Sequence, residues 1–234
     1  MKNLKTLVML FIGLAAMSLA SCNSDSNDYR QPTLEEQDAM QTAMLGSYRG
    51  TVDFQRQPTP TSTKFESYRK TSATWTVQKG DPTRGEDSLL IVRDFPINQL
   101  DSAIYIEKGD VSETAQKMMA LRTAISNLPN EDLKCKFFVP WYEESWVMTT
   151  GYRFAVNPYV VQKTLEYGGE THKVSFIFIM NNYIGMYTSA TRKLSFNMCL
   201  GAIVIDKELK DIYLDYVSTY QNYFRPIGII CSME

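Results

Sequence analysis

From Tyr48 onward apolar and polar residues alternate, and that period of two restricts the chain to strands more firmly than any other feature. Tyr48, Gly50, Val52 and Phe54 alternate with Arg49, Thr51, Asp53 and Gln55, which describes a strand with one wet face. Residues 66–78, rich in Ser, Thr, Tyr and Trp, give a second strand with Trp75 and Val77 facing inward. Leu89 to Val92 is apolar on both faces, the pattern of a covered strand. The Phe95-Pro96-Ile97 break ends it, because proline cannot donate to a ladder.

The second half repeats the pattern. Leu133, Cys135, Phe137, Val139 and Trp141 share one face, and Trp146, Met148, Tyr152, Phe154 and Val156 share the next. Val161 to Tyr167 and Val174 to Met180 flank Gly168-Gly169, a strong hairpin signal. Asn181-Asn182 makes another turn, and Leu194 to Ile205 and Ile212 to Val217 follow as strands. Two helices interrupt the series. Thr33 with Glu36 is a capping-box pair ahead of Leu34, Ala39, Met40, Ala43, Met44 and Leu45, ending at Gly46. Ser112 caps residues 112–127, whose apolar side carries Ala115, Met118, Met119, Leu121, Ile125 and Leu128 before Pro129-Asn130 stops it. The expected fold is mainly β: an antiparallel barrel of about eight or nine strands with an N-terminal and an inserted helix. A two-sheet β-sandwich is the alternative.

The N-terminus reads as an address. Lys2 and Lys5 precede an apolar run from Leu7 to Leu19, shorter than the roughly 20 residues of a spanning helix. Leu19-Ala20-Ser21-Cys22 then resembles a bacterial lipobox, with cleavage between Ser21 and Cys22 and lipidation of Cys22. Residues 1–21 are accordingly a signal peptide, 22–32 a lipidated and flexible tether, and 33–234 a single β-rich domain. That places the protein at the bacterial outer membrane, held by its lipid on the periplasmic face or the cell surface. Removing the leader leaves twenty-two bases against twenty-six acids, which gives no footprint for nucleic acid. Cys135, Cys199 and Cys231 remain, an odd number, so at most one disulfide forms within a monomer.

Leu45-Gly46-Ser47-Tyr48-Arg49-Gly50 resembles the Gly-x-aromatic entry of lipocalin-like, or calycin-like, barrels. Ala73-Thr74-Trp75-Thr76-Val77 and the Leu89-x-Ile91-x-x-x-Phe95-Pro96-Ile97 segment look like small Bacteroidetes-type lipoproteins of a domain-of-unknown-function family with that barrel. The resemblance implies a barrel over most of residues 33–220 and carries no catalytic motif. The inserted helix departs from a plain lipocalin, whose helix comes near the end. Asp87-Ser88-Leu89 and Asp101-Ser102-Ala103 are similar to the short Asp-Ser/Thr-apolar sequon of Bacteroidetes O-glycosylation, making Ser88 and Ser102 candidates.

No residue constellation points to an enzyme. The sole histidine, His172, lies beside the glycine turn and reads as an exposed hairpin residue. One histidine with scattered cysteines does not make a zinc site, and Asp81, Glu86 and Asp87 lack the spacing of a calcium loop, so no metal and no cofactor is expected. Ser67-x-x-Lys70 falls in a strand, where i and i+3 face opposite ways. Two binding features stand out. Trp141, Glu143 and Glu144, with Trp146 nearby, form an aromatic and acidic cluster at a strand connection, a candidate rim for gripping a glycan. Trp75, Trp146, Tyr152, Phe154, Phe176, Phe178, Phe196 and Met198 face inward and either line a ligand cavity or fill the barrel. The function expected is a non-catalytic, envelope-anchored binding module for a small apolar or amphipathic ligand or a glycan. A surface interaction or adhesion protein with a filled β core is the alternative.

Overall fold

The computed structural model describes residues 29–30, 33–59, 61–80, 88–138, 142–143, 151–179, 184–207 and 223–233. Strands β1 to β12 are, in chain order, Tyr29–Arg30, Gly46–Arg56, Glu66–Gln78, Leu89–Phe95, Glu131–Phe138, Tyr142–Glu143, Gly151–Pro158, Val161–Tyr167, Glu170–Phe178, Ile184–Thr188, Lys193–Ile205 and Ile227–Ser232. Helix α1 spans Leu34–Met44, α2 spans Glu113–Ser126, and a 3-10 helix occupies Ile97–Ala103. Eight strands close into an antiparallel barrel in the order β10-β7-β5-β4-β3-β2-β12-β11. The ring is sealed where Met186, Tyr187 and Thr188 of β10 pair with Ser195, Leu194 and Lys193 of β11. This settles the choice between barrel and sandwich in favour of the barrel.

Strand alternation dictates what fills it. Around the ring the inward positions are Tyr48, Val52, Phe54, Trp75, Val77, Leu90, Val92, Leu133, Cys135, Phe137, Phe154, Val156, Tyr187, Leu194, Phe196, Met198, Leu200, Ile227, Ile229 and Cys231, all buried. Cross-strand pairs such as Tyr48 opposite Trp75 and Phe196 opposite Cys231 show one face continuing from strand to strand. Cys135 and Cys231 are therefore buried thiols inside the ring, and Cys199, on the other face of β11, is buried as well.

Both ends of the barrel are plugged. Thr33 caps α1 through the reciprocal box read from the sequence: Thr33 N–H donates to Glu36 Oε2 (2.8 Å) and Glu36 N–H donates to Thr33 Oγ1 (3.2 Å). Its buried Met40 and Met44 join the core beside the start of β2, where the Tyr48 hydroxyl donates to the Met44 carbonyl (2.5 Å). Gln41 and Asp38 hold the helix over the β3–β4 end by bonding Ser88 Oγ (2.9 Å) and pairing with Lys79. At the other end the 3-10 helix, which the sequence did not reveal, buries Ile97, Leu100 and Ala103. Helix α2 packs on it and on β8, with Ala115, Met118, Leu121 and Ile125 inward. Met119, expected on that apolar side, is instead 52 % exposed. Its position falls one step around the helix from Met118 and so points to solvent.

Strand β11 outlasts the ring. From Leu200, opposite Phe178, it pairs with β9 across a bulge between Leu200 and Ala202, and β9 pairs with β8, so this hairpin extends from the barrel wall under α2. Gly168 (φ +62) and Gly169 (φ +83) make its turn, as the sequence indicated. Strands β10 and β12 did not emerge from the sequence, and both are needed for closure. The strand expected at Ile212 to Val217 lies outside the described residues. Within the stretch read as tether, Tyr29 and Arg30 pair with Glu143 and Tyr142.

Candidate functional site

The aromatic residues singled out from the sequence divide into three groups. Trp75, Phe154, Phe196 and Met198 lie inside the ring and pack on its other residues. Trp75 meets Phe196 edge-on (centroids 5.6 Å apart, 89°), Phe154 meets Phe137 (5.3 Å, 68°), and the Met198 sulfur lies 3.9 Å from Cys135 Sγ. These contacts pack the described inward side chains on one another. Tyr152 is half-buried and stacks flat on Tyr187 (6.0 Å, 6°). Phe176 and Phe178 are buried on β9, which pairs with β11 beyond the closed ring; Phe178 stands opposite Leu200 and Phe176 opposite Ile203, so both lie on the face that continues the core. Strand pattern gave their burial correctly and could not say which wall they belonged to. Trp141, Glu144 and Trp146 lie outside the described residues, and of Glu143 only its pairing with Tyr29 is described.

Three further candidates have definite surroundings. Ser102 is buried in the 3-10 helix, with its Oγ accepting from Arg56 Nη1 (3.4 Å). Ser88 is half-buried against Gln41. His172 is not an exposed hairpin residue but only 5 % exposed. Its Nδ1 meets Asp206 Oδ2 at 2.7 Å, its Nε2 lies 3.6 Å from Glu170 Oε2, and its ring stacks on Tyr167 (4.2 Å). Asp206, at the end of β11 with φ +54, also accepts from the Lys173 N–H (2.8 Å). Desolvation raises the Asp206 carboxyl, but the hydrogen bonds from His172 and Lys173 outweigh it and hold the group below the usual carboxylate range. The histidine thus latches the β9 strand to the end of β11.

One open site on the described surface lies in the barrel wall. Strand β3 runs for thirteen residues, yet β4 pairs only with Thr74 to Gln78. Beyond Arg93 strand β4 bulges, Asp94 takes a left-handed conformation (φ +48), and Pro96 directs the chain into the 3-10 helix. The Phe95-Pro96-Ile97 break seen in the sequence is the cause of this splay. It opens a cleft of about 270 Å³ lined by Arg49, Thr71, Ser72, Ala73, Thr74, Arg93, Asp94, Pro96 and Asn130. Arg49, Thr74 and Arg93 form a row across β2, β3 and β4 on the outer face. Arg93 is ion-paired with Asp132, whose other oxygen accepts from the Asp94 N–H (3.2 Å). Arg49 has no ion-pair partner among the described residues. One free guanidinium, three hydroxyls and an amide make a surface that bonds polar ligands. Of the cleft residues only Pro96 was marked by the sequence, as a strand break and not as a site, because outward polar positions on a strand look alike whether or not a neighbouring strand covers them.

The described residues contain no group of three His, Cys, Asp or Glu side chains placed to hold a metal ion, and no helix among them is long and apolar enough to cross a membrane. Residues 43–205 match the model of a protein family described as a domain of unknown function, DUF4840. No curated protein and no solved structure matches the chain.

Proposed function

The chain belongs to the DUF4840 family, and from that premise we propose that it is a non-catalytic binding module, lipid-anchored through Cys22 at a bacterial outer membrane, that takes a glycan or a similarly polar small ligand in the wall cleft. The observation that carries this reading is the contrast between the two candidate places. The ring interior is occupied by its own packed aromatic side chains, whereas the cleft presents hydroxyl, amide and guanidinium groups to solvent. An enclosed apolar ligand, the other arm of the sequence reading, finds less support in that packing. The absence of catalysis is supported by His172, the sole imidazole, whose two nitrogens both face carboxylates in the β9–β11 latch. The anchor rests on Leu19-Ala20-Ser21-Cys22 and on the short distance in sequence from Cys22 to the α1 cap at Thr33.

A glycan array probed with the purified chain tests the reading, followed by titration of any hit against Arg49→Ala and Thr74→Tyr. Both variants should weaken a bound glycan about tenfold, the scale of one charge-assisted hydrogen bond or a filled subsite. Unchanged binding in both variants removes the cleft from consideration. One observation favours a second reading, that of a surface interaction protein: among the described residues β8 pairs only with β9, so its outer edge offers backbone groups to an added strand.

A further inference from the structure

Where β2 ends and β12 begins, three guanidinium groups gather around the 3-10 helix. Arg225 is only 8 % exposed. Its Nε donates to the Ser102 carbonyl (2.9 Å), and its Nη1 donates to the carbonyls of Gln57 and Pro58 (2.9 Å each). Its Cζ lies 5.4 Å from the centre of the Tyr105 ring. No carboxylate among the described residues touches it. Arg56 stands over the Tyr68 ring (4.9 Å) and reaches Ser102 Oγ with Nη1. Arg122, on α2, is paired through Nε with Asp101 Oδ2 (3.2 Å). Among the described residues, only Arg122 of the three has a carboxylate partner.

A buried charge is costly unless it is paired, and carbonyl dipoles satisfy only one side of the Arg225 fork. Its Nη2 edge has no partner among the described residues, and neither do Nε and Nη2 of Arg56. Burial lowers the Arg225 pKa, and the neighbouring charges of Arg56 and Arg122 lower it further, outweighing the opposite effect of Tyr68 and Tyr105. The guanidinium stays charged at neutral pH all the same. Aromatic walls from Tyr68 and Tyr105 reduce solvent screening on two sides.

We infer that Arg56, Arg122 and Arg225 form a binding site for a phosphate monoester. The surplus of two positive charges over Asp101 matches the charge of about −1.5 to −2 that such a group carries at neutral pH. The N–H edges of Arg56 and Arg225 that have no partner among the described residues are donors of the kind that tetrahedral oxyanions accept. A lone carboxylate would neutralise half of that surplus. None of these residues lines the wall cleft, so this site stands or falls independently of the function proposed above.

Inorganic phosphate is the probe, titrated into the purified chain at constant ionic strength against chloride, with 31P line broadening and the thermal midpoint as readouts. Phosphate should broaden and raise the midpoint saturably, and acetate should do so at least tenfold more weakly. Arg56→Gln and Arg122→Gln should each weaken phosphate about tenfold while leaving the midpoint in chloride nearly unchanged. They are the informative variants, because Arg225→Gln strips three carbonyls of their donor and threatens the fold. Vesicles of phosphatidylcholine with and without phosphatidic acid separate the sources. Retention by the phosphatidic acid vesicles places the monoester on a lipid, and a response to inorganic phosphate alone places it on a soluble molecule. The rival is a carboxylate of the chain itself. Glu208, Asp211 and Asp215 precede Tyr223 and lie outside the described residues. No phosphate response in the wild-type chain, or one that arises only in Asp211→Asn or Asp215→Asn, overturns the proposal, as does an Arg56→Gln variant that binds phosphate unchanged.

Discussion

Gly185→Ala is the sharpest perturbation the barrel offers. Gly185 sits inward on β10, directly opposite Phe154 of β7, one strand pair from the seam that closes the ring. A Cβ there would lie 2.2 Å from Phe154 Cζ, 2.3 Å from Cε2 and 2.8 Å from Cδ2. Carbon atoms rest at about 3.5–4.0 Å, so the ring has to retreat by more than about 1 Å. It has nowhere to go, because Phe154 is fully buried and already edge-on to Phe137 at 5.3 Å. Overpacking of this kind costs about 1–3 kcal/mol, and disturbing the ring pair adds about 0.5–1.5 kcal/mol. The expected loss is about 3 kcal/mol, or roughly 6–12 °C in midpoint for a domain of this size. Urea unfolding followed by fluorescence of the buried Trp75 measures it. The double variant Gly185→Ala/Phe154→Leu supplies the control. Shortening the ring makes room for the methyl group, so the pair should be more stable than the sum of the single losses by about 1.5 kcal/mol. A Gly185→Ala variant within about 0.5 kcal/mol of wild type, the spread of an ordinary surface substitution, or strictly additive singles, would refute the packing described for this seam.

Three other outcomes are expected. Asp206 has a carboxyl held below its ordinary value, so its contribution to stability is present above the unfolded-state pKa and lost as pH falls through the folded-state value. Asp206→Asn should therefore flatten the acid limb of a stability-versus-pH curve and speed amide exchange in β8 and β9; an unchanged acid limb would mean the latch is idle. Burial pushes the Cys135 and Cys231 thiols well up, and Cys199 is equally buried. All three should resist maleimide in the native chain at pH 8 and react together in urea, and labelling of any one of them before unfolding would contradict its placement. Cys22→Ala should release the protein from the membrane fraction, and undiminished retention would dismiss the lipobox reading.

Local signals carried much of the architecture. The Thr33–Glu36 box, the Ser112 cap and the Gly168-Gly169 turn act over a few residues and are found where their chemistry indicated. The alternating strands from Tyr48 to Gln78 likewise needed no distant partner to be seen. Strand β12 was legible in principle, since Ile227, Ile229 and Cys231 alternate with Gly228 and Ser232, but the apolar Ile230 blurs the period. Strand β10, five residues with a glycine inside, carries too little pattern to stand out. The cleft was half visible: Pro96 marked the break, but not what the break would uncover.

The sequence by itself determined which segments extend, which coil, and which side of each turns inward, because those properties follow from backbone geometry and the spacing of apolar side chains. Tertiary structure alone decided the neighbours. Closure of the ring joins β10 to β11 and inserts β12 between β11 and β2, pairings that alternation permits without specifying. The same closure left Phe176 and Phe178 on β9, beside β11 and beyond the ring, in the same core cluster. It turned His172 from a turn residue into a buried latch on Asp206, thirty-four positions away. It also set Arg225 against the carbonyl of Ser102, 123 positions earlier in the chain. A side chain's face is fixed by its immediate neighbours in sequence, whereas its partners are fixed by which distant strands the closing sheet brings beside it.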